Sequence, residues 1–232
     1  MTITAAVGTS VARVGPELVI FDCDGVLVDS EVLVIAEEVA MLRSIGIDVT
    51  ADDVAERYTG RSDASVFSEL RASGTTLPDD FESRWTGCAE RALSRGLQPV
   101  DGMAELLARL SSARCVASSS LPARIDRSLA AAGLHELVGP HVFSTALVAN
   151  GKPAPDIFLH AAAVMGVAPE ACVVVEDSPY GVTGAIAAGM DVVGFTAAGH
   201  CTPATTARLL AAGAPRIATS SEELASMLGV GA

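Results

Sequence analysis

The sequence predicts an α/β fold, a parallel sheet flanked by helices, with an all-helical segment inserted after the first strand. Three observations predict it. Short, continuous apolar runs recur along the chain, as in strands buried on both faces. Segments of helical length, rich in Ala and Leu, lie between them. One long stretch, residues 30–97, interrupts that alternation without any buried-strand pattern of its own.

The first strand is expected in ELVIFD, Glu17 to Asp22. Residues 30–97 then read as about four helices. Ser30 and Thr50 are candidate N-caps, each followed by acidic and apolar residues at helical spacing. Pro78 and the run Ser73-Gly74-Thr75-Thr76 punctuate the middle. The chain returns at Pro99-Val100-Asp101-Gly102. From there helices are expected at Gly102–Ser111, Pro122–Ala132, Pro155–Met165 and Gly181–Ala188, with two more starting near Pro203 and Ser221. Between them CVAS (Cys115 to Ser118), CVVVED (Cys172 to Asp177) and DVVGF (Asp191 to Phe195) supply further strands. Strands alternating with helices indicate right-handed crossovers and a Rossmann-like parallel sheet. The division is therefore 1–29 with 98–232 for the sheet unit and 30–97 for the helical insert.

Composition narrows the function. The 232 residues are 50% hydrophobic, with 28 acidic side chains against 15 basic. There is material for a core, and the net charge of −13 repels polyanions, which argues against nucleic acid and anionic membrane surfaces as partners. No run of 18 apolar residues exists to span a bilayer, and Met1 to Arg13 lacks the basic start of a secretory signal. The cysteines (Cys23, Cys88, Cys115, Cys172, Cys201) are odd in number and have no C-x-x-C spacing. They read as reduced, mostly buried thiols of a cytoplasmic protein, and no Cys/His cluster has the ligand spacing of structural zinc.

Four segments carry chemistry. In FDCDGVLVDSE (Phe21 to Glu31), Asp22 ends a buried strand and Asp24 follows two residues later. Paired carboxylates repel each other and are costly to bury, so a shared cation would explain them, although Asp and Gly25 also suit an ordinary turn. Ser118-Ser119-Ser120 stands between a strand end and Pro122, as an anion site or an N-cap. Lys152, in NGKPAPDIF, is the single lysine beside 14 arginines. A compact ammonium fits a tight phosphate site, although a loop lysine is the plainer alternative. Glu176-Asp177 ends another buried strand ahead of Ser178-Pro179. Hard oxygen donors from separate strands suit Mg²⁺, while an N-cap by Asp177 or Ser178 would use the same residues.

In the order D-x-D, Ser, Lys, E-D, these motifs resemble the haloacid dehalogenase superfamily of phosphotransferases, in the branch with a helical cap. The resemblance runs from about Glu17 to Leu228 and includes VVVEDSPYGVTGAIAAGM. It implies a Mg²⁺-dependent phosphatase acting on a small-molecule phosphate ester, a sugar or sugar-acid phosphate. Asp22 would be the nucleophile, Asp24 the general acid and base, Ser118 a phosphoryl contact, and Lys152 the cation that holds phosphate and nucleophile. Asp22, Asp24 (through its carbonyl), Glu176 and Asp177 would surround Mg²⁺, with Glu176 a ligand or a partner of one. Ser119, Gly25 and Arg61 would contact substrate, Arg61 from the RYTGRSD segment of the cap.

The same resemblance orders the alternatives. The family's dehalogenases lack the second Asp, present here as Asp24. Its sugar phosphomutases carry a hinge histidine where this chain has Val34, so a β-phosphoglucomutase-like activity ranks below hydrolysis. Signalling receiver domains order their acids differently and lack such an insert. A non-catalytic phosphometabolite-binding protein is the remaining alternative. Trp85, Tyr58 and Tyr180 are expected as core or rim aromatics, His135, His141, His160 and His200 as structural, and Cys23 as pointing away from the site. The expected assembly is a monomer or small homo-oligomer.

Overall fold

The computed structural model describes residues 15–58, 63–93 and 96–231. Six parallel strands form one sheet in the order β3-β2-β1-β4-β5-β6. They are β1 Leu18–Phe21, β2 Ala113–Ser118, β3 Val142–Ser144, β4 Cys172–Glu176, β5 Asp191–Phe195 and β6 Arg216–Ala218. Four of these are the expected apolar runs. The edge strands β3 and β6 were not expected, and neither was the four-residue helix His135–Val138. Each is too short to show a period, and β3 and β6 exist by pairing with β2 and β5.

The helices are α1 Glu31–Ser44, α2 Ala51–Arg57, α3 Asp63–Ala72, α4 Phe81–Leu93, α5 Met103–Arg109, α6 Pro122–Ala131, α7 His135–Val138, α8 Asp156–Met165, α9 Pro179–Ala187, α10 Pro203–Ala211 and α11 Ser221–Met227. Among the described residues, none is long and apolar enough to cross a membrane.

Alternation along the central strands explains the layering. Val19 and Phe21 of β1, with Val173 and Val175 of β4, face one side and pack with Met103 and Leu107 of α5, Ile125 of α6 and Leu224 of α11. Leu18, Ile20 and Val174 face the other and pack with Ile157 and Phe158 of α8, Val182 of α9 and Leu209 of α10. Every β1 side chain is buried, each contributing about 1.5–3 kcal/mol of apolar burial.

Helices α1–α4 hold a core of their own. Val54, Phe67, Leu70, Phe81 and Trp85 belong to a third apolar cluster, in which Trp85 meets Phe67 edge-on at 6.1 Å and Tyr58 at 6.2 Å. Thr50 caps α2 through a full capping box with Asp53. Ser30 makes no capping bond to α1, contrary to expectation. Its backbone is helical (φ −77°, ψ −34°), not the extended form from which a capping side chain reaches back, and its hydroxyl donates to Asp24 Oδ1 at 2.7 Å. The two passages between insert and sheet unit lie side by side. Asp29 N–H donates to the Gln98 carbonyl and Val100 N–H to the Leu27 carbonyl, each at 3.0 Å.

Candidate active site at the strand ends

In the 3-2-1-4-5-6 order, strand direction of travel diverges between β1 and β4, where ligand crevices form at the carboxyl ends. Register brings the two acidic motifs together there. Phe21 pairs with Val175, so Asp22 emerges beside Glu176, and the Asp22 amide donates to the Val175 carbonyl at 3.0 Å. A cavity of about 840 Å³ opens above them, between the sheet unit and the insert. It is lined by Asp22, Asp24, Ser118, Ser119, Lys152 and Asp177, and further by His200 and Arg124.

Lys152 crosses 130 residues of sequence to donate to Asp22 Oδ1 at 2.6 Å. Its ammonium also donates to the Ala117 carbonyl at 3.0 Å and to Glu176 Oε1. It is buried with both carboxylates. Burial works against its charge, but Asp22 and Glu176 outweigh that, and it is held above the ordinary lysine range. Burial raises the Asp22 carboxyl well above its usual range, with Lys152 pulling it down and Glu176 and Asp177 pushing it up.

Asp24 is gripped on both oxygens. Ser30 Oγ and Arg124 Nη2 donate to Oδ1 at 2.7 and 3.3 Å, and Ser120 Oγ donates to Oδ2 at 2.7 Å. Glu176 is fully buried, with Oε1 taken by Lys152 and Oε2 by the amide and hydroxyl of Ser178 at 3.2 and 3.0 Å. Asp177 keeps one oxygen uncommitted, while Oδ2 lies 3.1 Å from His200 Nε2.

Two glycines make this approach possible. Gly25 has φ +81°, and a Cβ there would stand 2.0 Å from Asp177 Oδ2 and 2.9 Å from the His200 ring. A Cβ on Gly181 would stand 1.9 Å from the Glu176 carboxyl carbon. Neither position admits a side chain without displacing an acid of the site.

The 16–189 stretch matches the family described as haloacid dehalogenase-like hydrolase. The chain belongs to this haloacid dehalogenase-like hydrolase family. It is 30% identical to the 6-phosphogluconate phosphatase of Escherichia coli over 81% of this chain and 86% of that protein. It is 32% identical to hexitol phosphatase A of the same organism, over 82% and 85%. Among solved structures, a conserved haloacid dehalogenase-like protein of unknown function from Agrobacterium tumefaciens superposes with a TM-score of 0.88 at 37% identity, covering 93% of this chain and 98% of that one.

The structure revises several expectations for this hydrolase. His200 lies at the site, against the expectation that the histidines are structural. The loop after β5 carries it to a strand end, and it is buried against Asp177. Burial disfavours its charge, yet the bonds to Asp177 and Cys201 push it up to about 11. Glu176, expected as a metal ligand or a partner of one, has Oε1 bonded to Lys152 and Oε2 to the amide and hydroxyl of Ser178. Ser120, just before α6, and Arg124, in its first turn, reach Asp24, where the sequence offered an anion site or an N-cap. Ser119 lines the cavity, with its carbonyl accepting from Thr145 Oγ1 at 3.3 Å. Cys23 is fully buried in the core below, as strand alternation predicts. Arg61 lies outside the described residues.

Proposed function

We propose that this hydrolase is a Mg²⁺-dependent phosphatase of the cytoplasm, releasing phosphate from a small phosphorylated metabolite of the sugar-phosphate kind through an aspartyl-phosphate. The observation that carries the reading is the buried Lys152 ammonium on Asp22, with Asp24 two residues on and facing the same cavity. Residues 1–29 with 98–232 then form the catalytic unit and 30–97 the cap.

The donor chemistry fits Mg²⁺. Among the described residues, no three His, Cys, Asp or Glu side chains enclose an ion. Mg²⁺ does not need such a cage: it is held by one or two carboxylates plus waters and substrate phosphate. Asp22, the Asp24 carbonyl and the uncommitted oxygen of Asp177 would hold it. When bound, it supplies positive charge that favours an ionised Asp22 and offsets the phosphate.

The chain's own residues do the rest. The Asp22 carboxylate oxygen attacks phosphorus, the bond to the ester oxygen breaks, and Asp24 gives that oxygen a proton. Asp24 then takes a proton from the water that attacks the aspartyl-phosphate, returning Asp22 and releasing phosphate. Lys152 and Ser118 steady the transferring group. Ser30, Ser120 and Arg124 fix the Asp24 rotamer, and Glu176 positions Lys152 rather than ligating the ion. Val34 lines the cavity where the family's mutases carry histidine, which favours water over a sugar hydroxyl as acceptor.

Phosphate release from a panel of metabolite phosphates, with and without Mg²⁺, tests the reading. Metal-dependent turnover should fall at least ~10³-fold in Asp22→Asn, as expected when a covalent nucleophile is lost. Conversion of glucose 1-phosphate to glucose 6-phosphate, or full activity in the variant, would overturn it.

A further inference from the structure

The cavity has two unlike walls. From the insert come Glu31, Val34 and Glu38 of α1, Asp63 of α3, and Thr86 and Glu90 of α4. Among the described residues, that wall holds four acids and no base. Glu31, Val34 and Glu38, spaced by three and four, share one face of α1. Glu90 is paired with Arg127 at 2.7 Å across the cleft. Glu31 and Glu38 make no hydrogen bond or ion pair with a described residue.

Arg124 and His200 of the opposite wall draw Glu31 down, and Arg124 draws Glu38 down, yet burial outweighs them, and every cation of that wall is bonded to another group. Arg124 is committed to Asp24, His200 to Asp177, and Arg208 to the Glu56 carbonyl at 3.3 Å. Lys152 is buried between Asp22 and Glu176. Burial pushes Glu38 up to about 8, with Glu31 and Asp63 adding, and Glu31 up to about 7, with Asp24 adding. A place that resists a carboxylate's own charge resists a second anion for the same reason. A carboxyl group that is part protonated both donates and accepts, which matches a hydroxyl.

We propose that the leaving group is neutral and hydroxyl-rich, seated against Glu31 and Glu38, and that this wall selects against leaving groups bearing a carboxylate. The inference rests on the phosphatase reading above and chooses within it, placing sugar and polyol phosphates ahead of sugar-acid phosphates.

The test compares kcat/KM for sorbitol 6-phosphate, 6-phosphogluconate and p-nitrophenyl phosphate, with Mg²⁺, in the parent, Glu38→Gln, Glu38→Arg and Arg61→Ala. The parent should prefer the sorbitol ester by at least ~10-fold, the scale of a like-charge mismatch in a partly buried site. Glu38→Arg should erase that preference, mainly by lowering KM for the carboxylate ester. If Glu38→Arg does not fold, Glu38→Gln, which keeps the side chain's size, should narrow it. Equal or better turnover of 6-phosphogluconate in the parent overturns the inference, as does a preference unmoved by the folded Glu38 variants. So does a 6-phosphogluconate activity that vanishes in Arg61→Ala, because Arg61 would then be recruiting the carboxylate. Hydrolysis of p-nitrophenyl phosphate alongside any of these results leaves the phosphatase reading intact. No hydrolysis of any of the three esters overturns both.

Discussion

Gly181→Ala sets helix propensity against the packing of the site. Gly181 sits in the first turns of α9, where alanine is favoured over glycine by about 1 kcal/mol. On propensity alone the substitution stabilises. The added Cβ, however, would lie 1.9 Å from the Glu176 carboxyl carbon and 2.0 and 2.3 Å from its oxygens. Glu176 is fully buried and bonded to Lys152 and Ser178, so moving it away breaks those bonds. Disrupting a buried ion pair costs about 3–5 kcal/mol. Subtracting the propensity gain leaves a loss of about 2–4 kcal/mol. At about 2–4 °C per kcal/mol for a chain of this size, Tm falls by roughly 5–15 °C. Lys152 loses a carboxylate that holds it against Asp22, so phosphate release should also drop, by ~10²-fold or more. Calorimetry and a phosphate-release assay on the same preparation read both effects. A Gly181→Ala protein with unchanged or higher Tm and parental turnover would refute the reasoning.

Glu38→Gln should show its effect through pH. The folded Glu38 holds its proton up to about 8 against an ordinary value of 4.5, so stability present below pH 4.5 is lost as pH rises to 8. The variant escapes that loss and gains on the parent across this window, by at most about 1.4 kcal/mol per pH unit. Urea midpoints at pH 5 and pH 9 that differ from the parent by the same amount would contradict this. His200→Ala should weaken Mg²⁺ binding by about 10–100-fold, because the His200 Nε2 bond orients Asp177. A calorimetric Mg²⁺ titration indistinguishable from the parent's would remove His200 from the site's support.

The sheet's centre was legible because residues buried on both faces must be continuously apolar, and LVIF and CVVV are. The acids were legible for the opposite reason: Asp22, Glu176 and Asp177 end such runs, where an ionised group is too costly without a partner. Lys152 stood out as the single lysine of the chain. Local signals also placed Thr50 at a helix start, since a capping box spans only three residues.

Other features depended on contacts between distant segments. The edge strands β3 and β6 carry three residues each and are defined by their neighbours. Ser30 looks like an N-cap in sequence and became a partner of Asp24 because the turn after β1 brings its hydroxyl to the Asp24 carboxylate. Ser120 lies 96 residues from Asp24 and Arg124 lies 100, separations over which no periodicity carries information. His200 belongs to no motif, and only the parallel order of β4 beside β5 carries it to Asp177. The acidic wall of the cleft arises because α1 turns Glu31 and Glu38 toward the cavity, where Asp63 of α3 and Glu90 of α4 join them. Sequence by itself determined which residues could not remain uncompensated in a core. Tertiary structure decided what compensates them, because a partner's identity depends on distance in space, and chain separation does not encode it.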